Sequence, residues 1–154
     1  MLDEDRIAGF LGRFAPEIAA LAQACRTRLQ QLIPRGQELV YDNYNALVFA
    51  FGPTPRASDA VLSIALYPRW VTLFFAYGVD LPDPQALLVG SGSRVRSVRL
   101  GSVQVLDTAP VLALIEAACA PQAVAFAAAP ALATIIKSVS ARQRPRRPRP
   151  QGAG

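Results

Sequence analysis

Between Glu38 and Tyr77 the chain sets four stretches rich in β-branched and aromatic residues one after another. These are Leu39-Val40-Tyr41, Ala46 to Phe51, Ala60 to Tyr67 and Trp70 to Tyr77, bounded by the turn chemistry of Asp42-Asn43, Gly52-Pro53-Thr54-Pro55, Pro68-Arg69 and Gly78. A parallel connection needs a crossover of about a dozen residues or more, and none of these gaps has room for one. The strands are therefore expected to run antiparallel as a meander. A loop over residues 81–93 follows, and Val95 to Leu100 offers a fifth strand. The spacing predicts strands over 38–41, 45–52, 59–67, 70–77 and 94–100.

Helical patterns lie on both sides of this block. Residues 3–13 open with Asp3, Glu4 and Asp5, acids that suit the first turn of a helix. Pro16 restarts a helix at the position proline tolerates best, and Ile18, Leu21, Cys25, Leu29 and Leu32 then recur at steps of three and four until Pro34 and Gly36 end it. Asp107-Thr108-Ala109-Pro110 is read as the cap of a further helix over about 109–120, with Val111, Leu114, Ile115 and Ala118 as its packing stripe. Helices before and after a continuous meander imply an α+β fold with the helices on one face of the sheet.

The length of 154 residues argues for one domain with extensions. The expected organisation is an α+β domain over 1–120, an Ala/Pro-rich linker over 121–136 and a basic disordered tail over 137–154. Charge supports that partition. Residues 1–136 hold ten Arg against eleven acids, whereas Lys137, Arg142, Arg144, Arg146, Arg147 and Arg149 follow with no acid among them. The whole excess positive charge thus sits at the C-terminal end, and a segment of alternating Arg and Pro is not expected to form a helix or bury a core.

No His is present, which excludes a Ser-His-Asp triad, a His general base and a His-based metal site within these residues. No pair of acids has a spacing that announces general acid–base work, so the chain is read as non-catalytic. Cys25 and Cys119 lie in helical stretches and form no CxxC or Cys/His cluster, so they read as small buried hydrophobes. The acidic start Asp3-Glu4-Asp5 lacks the pattern of a secretory signal, so a cytoplasmic location is expected. Ala117 to Ile136 carries no charge but is poor in large apolar residues and interrupted by Pro121 and Pro130, so no membrane span is expected.

Two places could hold a ligand. Nine of the twelve aromatics fall between Tyr41 and Tyr77, and neighbours such as Phe74 and Phe75 must face opposite sides of a sheet. Plain core packing accounts for most of them. A small-molecule pocket lined by Tyr41, Asn43, Tyr44, Asn45 and Trp70 is the functional alternative. The second place is Gly90-Ser91-Gly92-Ser93-Arg94-Val95-Arg96, where glycines free the backbone N–H groups and Arg94 and Arg96 share one side of the next strand. It reads either as an anion nest or as a solvated turn.

The central residues also resemble a known family. Glu38-Leu-Val-Tyr-Asp-Asn-Tyr-Asn-Ala-Leu-Val48, Ala57-Ser-Asp-Ala-Val61, Ile64-Ala-Leu-Tyr-Pro-Arg-Trp-Val-Thr-Leu-Phe-Phe75 and Leu88-Val-Gly-Ser-Gly-Ser-Arg-Val-Arg-Ser-Val-Arg-Leu100 are similar to the YdhG-like domain, a bacterial domain of largely unknown function. The likeness spans about residues 10–120. It implies a frataxin-like α+β fold, and one branch of the family is described as iron chaperones. Iron prefers oxygen ligands, which here would be Asp3, Glu4 and Asp5, with Glu17, Glu38 and Asp42 as the remaining acids near the first helices and hairpin. Ser93 stands where many relatives carry Lys, so a Lys-dependent anion contact in that loop is not expected in this chain.

Three functions compete on these grounds. The first is a ligand- or protein-binding module without chemistry. The second is an iron-binding chaperone, with iron as the one cofactor considered. The third is attachment to nucleic acid or another polyanion through the Arg/Pro tail.

Overall fold

The computed structural model describes residues 2–150. Helix α1 (Asp3–Leu11) and helix α2 (Pro16–Leu32) precede strands β1 (Gln37–Asp42), β2 (Leu47–Gly52), β3 (Leu62–Leu66), β4 (Val71–Phe75) and β5 (Arg96–Leu100). Helix α3 (Ala109–Cys119), a short helix α4 (Ala123–Ala128) and strand β6 (Ala133–Val139) follow. All five predicted strands are present, each within a few residues of its expected bounds. The fold is α+β, and its six strands form one mixed sheet in the order β5-β4-β3-β2-β1-β6.

The helices cover one face of that sheet. Alternation along the strands sends Val40, Phe49, Ile64 and Leu73 to the helical side, where they join Ile18, Ala22, Cys25 and Leu29 of α2 in one core. Leu21 and Leu32, expected in the buried stripe of α2, lie half-buried at its flank. From α1 come Ile7 and Leu11, and from α3 Val111, Leu114 and Ile115. Of the adjacent pair Phe74 and Phe75, Phe75 enters the core and Phe74 lies half-buried on the other face.

Three readings of the sequence need correction. The sheet is not a purely antiparallel meander of five strands, because β6 pairs in parallel with β1, matching Leu39 with Ile135 and Val40 with Ile136. With β2 on one side, β1 would otherwise expose an unpaired edge, and the long return through α3 and α4 gives the crossover a parallel pairing requires. Residues 121–136 are therefore not an unstructured linker. They hold a 3₁₀ turn over Ala120–Gln122, then α4 and the start of β6. Arg35 steadies the end of α4 by donating to the carbonyls of Phe126 and Ala129, at 3.3 and 2.5 Å. The cap of α3 also differs: Thr108 occupies the N-cap with extended backbone, yet its hydroxyl donates to the Val105 carbonyl instead of accepting from the helix.

The run Ala109–Ala128 is long and apolar enough by composition to cross a membrane. Here the 3₁₀ turn with Pro121 interrupts it, and its first half delivers Val111, Leu114 and Ile115 to the core.

Gly36 is the point where α2, β1, β2 and β6 meet. Its φ is +105°, and a Cβ there would sit 2.3 Å from the Gly52 carbonyl oxygen. Its own N–H donates to Pro130 and its carbonyl accepts from Ala133, so the same residue starts β1 and guides β6 alongside it. Gly36→Ala is therefore expected to cost more than about 1 kcal/mol in urea unfolding. Gly92→Ala, where a Cβ meets nothing within 4 Å, should leave the midpoint nearly unchanged.

Candidate functional site

Glu38 and Asp42 lie four residues apart on β1, so both point to the helical side, where they are 0% and 1% exposed. A carboxylate so placed needs a positive partner. For Glu38 it is Arg26 of α2, which is itself 2% exposed. The guanidinium donates through Nε to Oε2 and through Nη2 to Oε1 of Glu38, both at 2.8 Å, and reaches Glu4 of α1 at 3.0 Å. Gln30 and Thr134 also donate to Glu38, and the Phe49 ring lies 4.9 Å from the guanidinium carbon. Burial works to lower the Arg26 pKa, but the hydrogen bonds and charges of Glu38 and Glu4 outweigh it and raise the value, so this group stays cationic.

Asp42 takes its partner from the far end of the sequence. Arg146 is 5% exposed and donates through Nη2 to Asp42 Oδ1 at 2.9 Å and to the Asn43 carbonyl at 2.5 Å. Its Nη1 reaches the Tyr44 carbonyl at 3.4 Å, and its guanidinium carbon lies 5.6 Å from the centre of the Phe14 ring. Around this anchor the chain is tied down by backbone bonds from Ser140 N–H to Asp42 O at 2.8 Å and from Arg144 N–H to Tyr44 O at 2.9 Å. Gln143 donates to Asp42 O, and Arg147 donates to the carbonyls of Gly12 and Arg13 at the end of α1. The expectation of a disordered tail is thus corrected for residues 137–150: a buried carboxylate at Asp42 draws in one arginine, and the neighbours of that arginine follow. Residues 151–154 of the expected tail lie outside the described residues.

The registers show what else shares this end of the sheet. Asp42 pairs with Leu47, Leu47 with Leu66, Leu66 with Val71 and Val71 with Leu100. The turn at 43–46, the turn at 67–70 and the end of β5 therefore line up beside the docked C-terminal segment. Six strands at about 4.8 Å spacing make an edge about 24 Å long. At this end stand Arg13, Arg69, Arg99 and Arg144, all exposed, with Tyr44 and Trp70 among them, and the docked segment itself carries Arg142 and Arg149, also exposed. The Arg144 guanidinium lies 5.6 Å from the Tyr44 ring, and that of Arg99 lies 4.2 Å from the Trp70 ring. Of the six basic residues expected to act as a polyanion tail, Arg146 is buried as the anchor, Arg147 caps α1 and Lys137 donates to Pro55 O. Arg142, Arg144 and Arg149 remain on the surface.

The five residues expected to line a ligand pocket lie at this end too, but they do not converge. Asn43, Tyr44 and Asn45 belong to the first turn. The Tyr41 hydroxyl is buried on β1 without a hydrogen-bond partner, and burial raises its pKa. Trp70 instead borders a groove against α2, about 640 Å³ in volume, together with Glu17, Leu21, Arg69, Arg99 and Gly101. The Gly90–Arg96 loop sits at the opposite end of the sheet and is closed on itself. Arg96 donates to the carbonyls of Gly92 and Val95 at 2.7 and 2.8 Å, and Arg94 lies over the Tyr77 ring. Of the residues Gly90-Ser91-Gly92-Ser93, Gly92 is thus the one whose carbonyl takes up the Arg96 guanidinium, so Arg96 is already committed to backbone.

Asp3, Glu4 and Asp5 do not form a metal centre: Glu4 is committed to Arg26, and among the described residues no group of three His, Cys, Asp or Glu could hold an ion. A further groove of about 580 Å³ lies between α2, α3 and α4, walled by Leu32, Ile33, Ile115 and Phe126. Cys119 borders it, with its thiol pushed up to about 11 by burial, as is that of Cys25. A thiol held protonated in this way is a poor nucleophile. No family model, curated protein or solved structure matches this chain.

Sequence reasoning missed Arg13, Arg69, Arg99 and Phe14 as parts of this end. The signal available for Arg69 and Arg99 was their position beside a turn and a strand end that a meander gathers at one edge, whereas Arg13 lies in the connection between α1 and α2 and offered no such signal. Removing the anchor should be costly: Arg146→Ala leaves Asp42 buried without its cation and is expected to destabilise by about 3–5 kcal/mol in chemical unfolding. Arg149→Ala, on the surface of the same segment, should stay within about 0.5 kcal/mol of the parent.

Proposed function

We propose that this chain is a non-catalytic binding module whose working surface is the arginine-bearing end of the sheet, and that its partner is nucleic acid held through its phosphates. The observation that carries the reading is the Asp42–Arg146 anchor. It turns a segment expected to be loose into a fixed row that presents Arg142, Arg144 and Arg149 beside Arg13, Arg69 and Arg99. A fixed row loses less conformational entropy on binding than a free tail does, and it gives the charges a shape. Arg and exposed aromatic rings on one surface are the side chains that phosphate backbones and bases call for.

We read the fold as a YdhG-like, frataxin-like variant; helices before and after the meander, packed on one sheet face, support that reading. Cys25 and Cys119, neither in a disulfide, suit the cytoplasmic location expected for the chain. The iron-chaperone alternative draws no support from Glu4, whose carboxylate already serves Arg26.

Titration of a fluorescently labelled DNA duplex with the full chain, followed by anisotropy, tests the proposal. Saturable binding is expected, with the logarithm of affinity falling against the logarithm of salt by about 0.9 per phosphate contact. Replacing Arg142, Arg144 and Arg149 together by Ala should flatten that slope by about 2–3. Absence of saturable binding at low salt, or a slope indifferent to the triple substitution, would sink the proposal.

A further inference from the structure

We infer that the groove beside Trp70 is a seat for one unpaired nucleobase, so that the preferred partner is single-stranded nucleic acid; this rests on the nucleic-acid reading above. Three observations point to it. Trp70 is 39% exposed although it is the only tryptophan of the chain and sits in a tight turn between β3 and β4. The groove it borders, about 640 Å³, has an apolar wall from Ile18 and Leu21 of α2, which suits the flat, weakly polar face of a base. The cations at its rim, Arg69 and Arg99, complement the phosphate that any nucleotide brings with its base.

The chemistry of the seat follows from these parts. Arg99 lies with its guanidinium carbon 4.2 Å from the centre of the indole ring, occupying one face much as a stacked base does. A phosphate draws that guanidinium toward itself, and the face it leaves is taken by the base. Tyr67 meets Trp70 at 6.3 Å with the planes 45° apart, so it supports the ring from the side and does not stack on it. Glu17 is the only acid among the residues lining the groove, and its carboxylate offers an acceptor to an exocyclic amino group. A base locked in a duplex cannot enter, because its faces are stacked on its neighbours and its amino group is paired. A splayed base can. Arg144, at Tyr44 in the neighbouring turn, and the other arginines of the docked segment then hold the backbone that follows.

Trp70 makes the experiment direct, since intrinsic fluorescence of the chain at long wavelength comes from this residue alone. The full chain is titrated with an unstructured DNA strand of about 20 nucleotides and with a duplex of the same length, recording both tryptophan emission and the anisotropy of a label on the DNA. The single strand is expected to quench Trp70 saturably, in step with the anisotropy, while the duplex raises the anisotropy and leaves the emission unchanged. Trp70→Ala should weaken single-strand binding about tenfold and leave duplex binding as it was, and Trp70→Phe should keep most of the preference. Should Trp70→Ala fail to fold, the quenching in the parent chain still decides. Equal binding of both forms without quenching overturns the base seat and leaves the phosphate reading standing. No anisotropy change with either form overturns both.

Discussion

Two carboxylates on one strand, both turned away from water, organise this molecule. An ionised group inside a protein costs several kcal/mol unless a cation and further hydrogen bonds replace its hydration. Glu38 and Asp42 meet that demand by recruiting distant chain. Glu38 draws in Arg26 from α2 and, through it, Glu4 from α1, so that the helical layer is fixed in register on β1. Asp42 draws in Arg146, so that the C-terminal segment crosses the end of the sheet and ties to the end of α1. The two pairs are unequal. Arg26 engages both oxygens of Glu38, whereas Asp42 Oδ2 and Arg146 Nε lack hydrogen-bond partners, with Arg13 Nη1 only coming within 3.9 Å of that oxygen. The first pair serves chiefly to join layers, and the second decides where the chain ends up.

That placement determines the surface. Without the Asp42 anchor, the last arginines would be a solvated polycation and the end of the sheet would carry only its turns. With it, positive charge on the C-terminal segment lies beside Arg13 after α1, Arg69 in the 67–70 turn and Arg99 on β5, and the aromatic rings of Tyr44 and Trp70 stand at the same end. The Gly90–Arg96 loop also sets an exposed arginine, Arg94, over the exposed ring of Tyr77, but its second arginine, Arg96, is committed to backbone carbonyls there.

Much of the fold was legible in the residues themselves. Gaps too short for crossovers dictated the antiparallel pairing of β1 to β4, and the three- and four-residue rhythm of Ile18, Cys25 and Leu29 dictated α2. The sixth strand was harder to place, because Thr134 to Ser140 shows β character but nothing local indicates its partner, and parallel pairing depends on an edge that exists only once the sheet has formed. The tail was misread for a related reason. Arg-Pro sequence is solvated when nothing awaits it, and composition does not reveal that Asp42 needs a cation. Tyr41, Asn43, Tyr44, Asn45 and Trp70 share one end of the sheet without lining a common pocket, since side chains on one edge need not converge.

The account depends on the C-terminal segment being a fixed part of the fold, and hydrogen exchange at single amides measures that directly. Ser140 and Arg144 donate backbone hydrogen bonds to Asp42 and Tyr44. Their exchange should be slowed toward the level of the β1 amides, because both belong to the unit that opens with the sheet. Exchange at the rate of an unstructured peptide at these two positions would show that the anchor does not form, and the binding surface proposed on it would go with it.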